Sequence, residues 1–331
     1  MDIFHNTNYD FIRWRWHAIA LSLVVVLAGA ALMVTRGLPL GIDFSGGTSL
    51  VVRFSQDVTL DKVRDAIAPL GGEAVVQQFG EPSERRVLVR LPQQEGAEEG
   101  TALEQGSQRA EAALKSAGLP SFEVDSREIV GPVIGADLQR RGIYAVLTSL
   151  AAITIYIGFR FRFSFAVGAI VATLHDVLVT LAFLMFFRYD ISLNVVAAIL
   201  TITGYSVNDT IVIFDRVREN LRSRRRDPLS QVVNQSVNQT LGRTIITAGT
   251  TFLSVLALYL FGGEALNGFA FTMLVGVISG TYSTVFIASA IAIILSQQKG
   301  GGTGKTQAAN APSGEATTER PGRKPRRARA S

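Results

Sequence analysis

Six long stretches of this chain are apolar on every side, and that leaves it few ways to fold. They cover residues 17–35, 142–159, 164–187, 192–214, 243–261 and 266–295. A helix that is hydrophobic all round must lie in a large core or in lipid. About 20 residues cross the ~30 Å of a bilayer's hydrocarbon, and five of the stretches are near that length. The sixth is longer, which tilt or protrusion accommodates. With 48% of 331 residues hydrophobic, the reading is six spanning helices. The first stretch also admits a signal-peptide reading, with Arg13 and Arg15 before it and small residues at 28–31. Its apolar run exceeds the usual ~7–15 residues of such a signal.

Arginines orient the helices. Arg13 and Arg15 precede the first, and Arg160 and Arg162 fill the turn between the second and third. Arg216, Arg218, Arg222, Arg224, Arg225, Arg226 and Arg243 lie between the fourth and fifth, and more basic residues follow the sixth. If every stretch crosses, all four places fall on one side, which the positive-inside rule makes cytoplasmic. Both termini are then cytoplasmic. Arg140 and Arg141, just before the second helix, count against this mildly, but long loops translocate largely regardless of charge.

Residues 36–141 form the one large loop, placed outside by this orientation. It carries 12 basic against 16 acidic residues, so it is not a nucleic-acid surface. TSLVVRF (48–54), EAVVQQF (73–79), RRVLVRL (85–91) and FEVDSREIV (122–130) read as strands. TLDKVRDAIAPL (59–70), with Thr59 as its cap, and residues 102–118, stopped by Gly118, read as helices. The order β-α-β-β-α-β predicts a ferredoxin-like α+β domain inserted between the first two spanning helices. The acidic segment at 90–104 reads as a solvated loop. The domain divisions are therefore 1–35, 36–141, 142–296, and a tail at 297–331 whose small, polar and basic composition predicts disorder. The tail's GGTGKT lacks the full spacing and strand–helix setting of a phosphate loop. Its basic end suits anionic lipid or ribosomal RNA.

No cysteine and three histidines (His5, His17, His175) leave no thiolate metal site and too few ligands for an ordinary zinc cluster. No cofactor is expected. The polar residues inside the apolar stretches remain. Asp209 lies in the fourth, with Asn208 beside it. An ionisable group there costs roughly 2.5–3.5 kcal/mol on insertion scales unless paired, wet or protonated. One reading makes Asp209 an interfacial carboxylate reaching for headgroups. The other pairs it with Arg243, which opens the antiparallel fifth helix at similar depth. Thr247, Thr250 and Thr251 then extend a polar stripe along roughly Arg243's face, able to hold water. Asp215, near the inner edge among arginines, reads as an exposed charge. His175 and Asp176 in the third helix suit either a relay or partner contact, or an interhelical hydrogen bond that fixes packing. Gly276 and Gly280 permit close helix approach. The glycines of GIDFSGGT (41–48) make a bend between membrane and outer sheet.

Six stretches in one order carry a resemblance. They are GIDFSGGT (41–48), IVGPVIGADL (129–138), LHDV (174–177), GYSVNDTIVIFDRVREN (204–220), QSVNQTLGRTIITAGTT (235–251) and FGGEALNGFAFTMLVGVISGTYST (261–284). The chain resembles the SecD/SecF family of bacterial protein-export membrane subunits, within the RND superfamily. RND transporters are built from two six-helix halves, and this chain has one. The resemblance implies SecD as the other half, in a complex near the SecYEG channel, possibly with YajC, in the cell inner membrane. It implies no enzyme. It implies that inward proton flow, driven by the proton motive force, moves external domains to complete preprotein translocation. In the family the Asp of GYSxND and the Arg of TLxRT are tied to proton conduction, and here these are Asp209 and Arg243. Two other functions remain in view: an RND half-transporter for small molecules, and a non-conducting assembly scaffold.

Overall fold

The computed structural model describes residues 7–70, 74–91, 101–224 and 226–300. Most of the acidic segment and the tail from 301, with GGTGKT and the basic end, lie outside the described residues.

Six helices are long and apolar enough to cross a membrane. The first is α1 (Arg15–Arg36). A short helix α2 (Ile42–Ser45) then leads into the outer domain. That domain consists of β1 (Gly47–Phe54), α3 (Leu60–Ile67), β2 (Val75–Phe79), β3 (Arg86–Leu91), α4 (Thr101–Ser116) and β4 (Phe122–Val130). The remaining spans are α5 (Pro132–Arg160), α6 (Phe163–Phe187), α7 (Leu193–Ser223) and α8 (Leu229–Phe261). The last is α9 (Glu264–Ser283), continued through a π turn (Thr284–Ala288) into α10 (Ser289–Gly300).

The helices overrun their apolar stretches. Thus α5 starts ten residues before 142, absorbing the end of the expected outer domain, and α8 starts fourteen residues before 243. Residues 297–300, expected in the tail, continue α10. Hydrophobicity marks where lipid begins, whereas a helix continues until capping or proline stops it. Pro132 opens the first turn of α5, a place that suits proline, and Pro228 is the N-cap of α8.

The sheet order is β2-β3-β1-β4, antiparallel throughout. This is the split βαβ arrangement. Inward residues of three strands (Leu50, Val52, Phe54, Val76, Val87, Val89) meet Val63 and Ile67 of α3 and Ala110 and Leu114 of α4 in one apolar core. Thr59 occupies the N-cap of α3, but its side chain makes no capping bond.

Within the membrane bundle α6, α7 and α9 are the inner helices. The outer faces of α1 and α5 expose Leu21, Leu27, Ile143, Leu147 and Phe159, as lipid-facing surfaces do. Glycines set the inner spacing. A Cβ on Gly276 or Gly280 would strike Ile202 or Ser206 of α7. A Cβ on Gly168 of α6 would lie 2.6 Å from the Ala288 carbonyl of the π turn, backbone that cannot swing aside. Gly168→Val is therefore expected to destabilise the bundle by ~1–3 kcal/mol. Thermal unfolding of the purified variant in detergent measures this, and an unchanged midpoint would show that α6 does not pack on that turn.

The outer domain runs from β4 straight into α5, and it is also bonded to the loop that leads into α7. The bend GIDFSGGT carries positive φ at Gly46 (68°) and Gly47 (118°), a region that side chains with a Cβ rarely enter. Just ahead of it, Gly41 N–H donates to the Ile191 carbonyl at 2.8 Å, and Ile191 N–H donates to Pro39 at 2.7 Å. Asp43 Oδ2 accepts from Leu193 N–H, at the start of α7, at 2.8 Å. Arg90 of β3 pairs with Asp190 at 2.7 Å.

Candidate functional site

Asp209 lies on α7 facing α8, half-buried. Its Oδ1 accepts from the Thr244 hydroxyl at 2.8 Å. Its Oδ2 is buried and has no hydrogen-bond partner among the described residues. Thr244 is 2% exposed and belongs to the inward face of α8 with Val233, Val237 and Thr240.

The expected direct pair with Arg243 is not formed. Arg243 is exposed on the flank of α8 and makes no ion pair among the described residues. It is adjacent in sequence to Thr244, and a step of one residue turns a helix by about 100°, so the two cannot share a face. Thr247 and Thr250 lie on Arg243's face, but that face is exposed rather than buried between helices. Thr247 and Thr250 are exposed and donate to carbonyls of their own helix. Ser254 does the same one turn further on. Thr251 is half-buried and Asn208 is exposed. Arg243, Thr247, Thr250 and Ser254 thus form a polar face of α8 that none of the other described residues covers, with Asp209 and Thr244 just inside it.

Asp215 is partly exposed and lies among arginines. Arg160, at the end of α5, donates one nitrogen to both its oxygens at 2.8 and 2.7 Å. This partly exposed pair joins the Arg160 turn to α7.

The second intramembrane carboxylate differs in kind. Asp176 of α6 is 1% exposed. Its Oδ2 accepts from Ser206 of α7 at 2.5 Å and Ser283 of α9 at 2.8 Å. Its Oδ1 accepts from Ser279 of α9 at 2.8 Å and contacts His175 Nδ1 at 3.1 Å. Three helices meet on one carboxylate. His175 Nε2 is buried without a partner, and its ring stacks on Tyr282. One turn toward the arginine-rich end, Thr210 meets Thr284, the first residue of the π turn, at 3.0 Å. Single π turns inside α-helices occur often at functional sites.

Sequence reasoning missed Thr244, Ser206, Ser279 and Ser283. The signal for Thr244 was present: Val233, Val237, Thr240 and Thr244 follow helical spacing and mark the inward face. The serines came with no such signal, because a serine in an apolar helix usually bonds its own backbone.

Among the described residues no group of three or more acidic or histidine side chains could hold a metal ion.

Comparison with known proteins places this arrangement. The protein export membrane protein SecD/SecF C-terminal family matches residues 109–298, more than half of the chain. The SecD/SecF GG motif matches residues 31–58. Protein translocase subunit SecF of Escherichia coli O157:H7 is 41% identical over 292 residues, covering 88% of this chain and 89% of that one.

The chain belongs to the SecD/SecF family.

A SecF from Magnetococcus marinus is 44% identical over 290 residues, covering 87% of this chain and 92% of its own. Among solved structures, SecDF of Thermus thermophilus, described as a translocon-associated membrane protein, superposes with a TM-score of 0.78 at 34% identity. The match covers 88% of this chain but 39% of SecDF, so the chain spans about two fifths of that protein. A SecDF structure in a super-membrane-facing form gives a TM-score of 0.66 at 33% identity. The SecD/SecF matches cover the bend at 41–48 and the helices that carry Asp176, Asp209 and Thr244. This SecD/SecF member is a multi-pass membrane protein with an inserted α+β domain.

Proposed function

We propose that this chain is the SecF-type half of a SecD–SecF complex in the bacterial inner membrane, with both termini cytoplasmic. It works beside the SecYEG channel, with YajC as an auxiliary subunit, and uses proton entry at Asp209 to drive preprotein export. The observation that carries the proton reading is the uneven bonding of Asp209: one oxygen held by Thr244, the other buried without a donor. A buried polar atom left unpaired is costly, and such atoms call for a functional explanation. A carboxylate so placed is a natural proton acceptor, because protonation removes the charge that the second oxygen cannot satisfy.

Two features support the partner and the coupling. The exposed Arg243 face of α8 would cost roughly 2.5–3.5 kcal/mol against lipid, so a second six-helix half covers it. That half would close over Asp209 and bring Arg243 into a shared interior. The bonds of Gly41, Asp43 and Arg90 tie the outer domain to the start of α7, the helix that carries Asp209. A shift of α7 on protonation then reaches the domain as a rigid displacement.

The test is export in inverted vesicles from cells with and without the chain. Gradient-stimulated, late-stage preprotein translocation is expected only with it, and a SecD protein is expected to co-purify in mild detergent. Co-purification with no gradient effect would leave a scaffold and refute the proton reading. Failure to co-purify would refute the partner.

A further inference from the structure

Residues 7–14 do not simply precede α1. They run along the arginine-rich end of α8 and are stitched to it by two asparagines one turn apart. Tyr9 N–H donates to Asn238 Oδ1 at 2.8 Å, and Phe11 N–H donates to Asn234 Oδ1 at 2.9 Å. Both asparagines return a bond to the Tyr9 carbonyl, at 2.9 Å from Asn234 and 2.8 Å from Asn238. Between this strap and the ends of α7 and α8 lies a polar cavity of about 1040 Å³.

Its charges do not balance. Four arginines line it (Arg13, Arg15, Arg216, Arg224) against two aspartates (Asp10, Asp227). Arg216 is engaged by Glu219 at 2.6 Å and Arg224 by Asp227 at 3.5 Å. Asp10 spends its carboxylate on the Arg13 backbone N–H at 3.1 Å. Neither Arg13 nor Arg15 has an acidic partner within ion-pair distance among the described residues, and Arg15 Nε is buried with nothing to donate to. Trp14 and Trp16 flank Arg15 and stay 61% and 59% exposed. Exposed tryptophans at the mouth of a membrane helix mark the headgroup level.

We propose that this cavity binds a phosphate-bearing anion, supplied as the headgroup of an anionic phospholipid. Guanidinium groups match phosphate oxygens with paired donors, and Arg15 offers a donor that the protein leaves unused. The surrounding Ser230, Gln231 and Gln235 are neutral and can bond a glycerol hydroxyl. The acyl chains would lie beside the tryptophans along the lipid-facing side of α1. The proposal is independent of proton coupling, since Asp209 does not line the cavity. It uses the level of the tryptophans, not the direction in which the chain crosses the membrane.

Native mass spectrometry of the full-length chain in detergent tests it, with three probes: dioctanoyl phosphatidylglycerol, dioctanoyl phosphatidylcholine and inorganic phosphate. Wild type is expected to bind phosphatidylglycerol saturably and phosphatidylcholine at least tenfold more weakly. Arg15→Gln is expected to weaken phosphatidylglycerol binding tenfold or more. Gln231→Glu, at an exposed position, places a carboxylate in the cavity and is expected to do the same, which keeps the test alive if Arg15→Gln misfolds. The basic stretch beyond residue 300 is unchanged in both variants, so lipid bound there does not alter the comparison. Variants equal to wild type, or equal binding of the two lipids, would overturn the site. Inorganic phosphate binding as tightly as phosphatidylglycerol, and lost in both variants, would overturn the lipid source.

Discussion

Asp209→Asn is expected to fold, insert and bind its partner half normally, and to reduce gradient-stimulated export to the level seen without a gradient. Asparagine keeps the size of the side chain and, through its carbonyl oxygen, the bond from Thr244. It cannot be ionised, so a proton taken from one side cannot be released to the other. Thr244→Val is the companion. It removes the one donor to Asp209 among the described residues while keeping the shape, so it should leave conduction impaired rather than abolished. Arg243→Ala should also impair export, by an effect that depends on the partner half, because no direct bond to Asp209 exists in this chain alone. Asp215→Asn is unsuitable as a silent control, since it breaks the Arg160 contact. Asp65→Asn, at an exposed position on the outer domain, serves instead. Late-stage translocation in inverted vesicles, with the gradient present or collapsed, gives the readout. Full gradient stimulation in Asp209→Asn would make this carboxylate an interfacial group and end the proton assignment.

The six spans and the order of elements in the outer domain were legible because they rest on patterns local in sequence: long apolar runs, period-2 strands and glycine stops. The sheet order β2-β3-β1-β4 then followed from the split βαβ arrangement. What local pattern cannot resolve is which face of a membrane helix points inward. In water an apolar face announces itself, but in lipid both faces are apolar and the difference lies in small and polar residues. Similar depth on antiparallel helices suggests that Arg243 meets Asp209, yet the inner face of α8 is the one with Val233, Val237, Thr240 and Thr244. The same limit hid the cluster around Asp176. Ser206, Ser279 and Ser283 are unremarkable in sequence, and only the close approach allowed by Gly276 and Gly280 brings them to one carboxylate. The strap at residues 7–14 was invisible for a different reason: its contacts are backbone to Asn234 and Asn238, more than 220 positions away.

Asp176→Ala is expected to be the most destabilising single change in the membrane bundle. The carboxylate accepts from three serines on two other helices, and deleting it strands those hydroxyls in a site 1% exposed. Each buried hydroxyl left unpaired costs ~1–3 kcal/mol, so a loss of several kcal/mol follows even if one serine turns back to its own helix. Ser283 already has such an alternative in the Gly280 carbonyl at 3.2 Å. The unfolding midpoint in detergent and the yield of inserted protein should both fall sharply. Asp176→Asn separates structure from chemistry. The serine hydroxyls can rotate to meet an amide, so most of the bonding survives while titration is lost. Near-normal stability with near-normal export would make the cluster a packing device that holds α6, α7 and α9 together. Near-normal stability with loss of gradient-stimulated export would make Asp176 a second proton station beside Asp209, reached through His175, whose Nε2 is buried and unbonded. The four-fold bonding favours the first outcome: Asp176 has both oxygens bonded and joins three helices, whereas Asp209, held by one donor among the described residues, has an oxygen to spare.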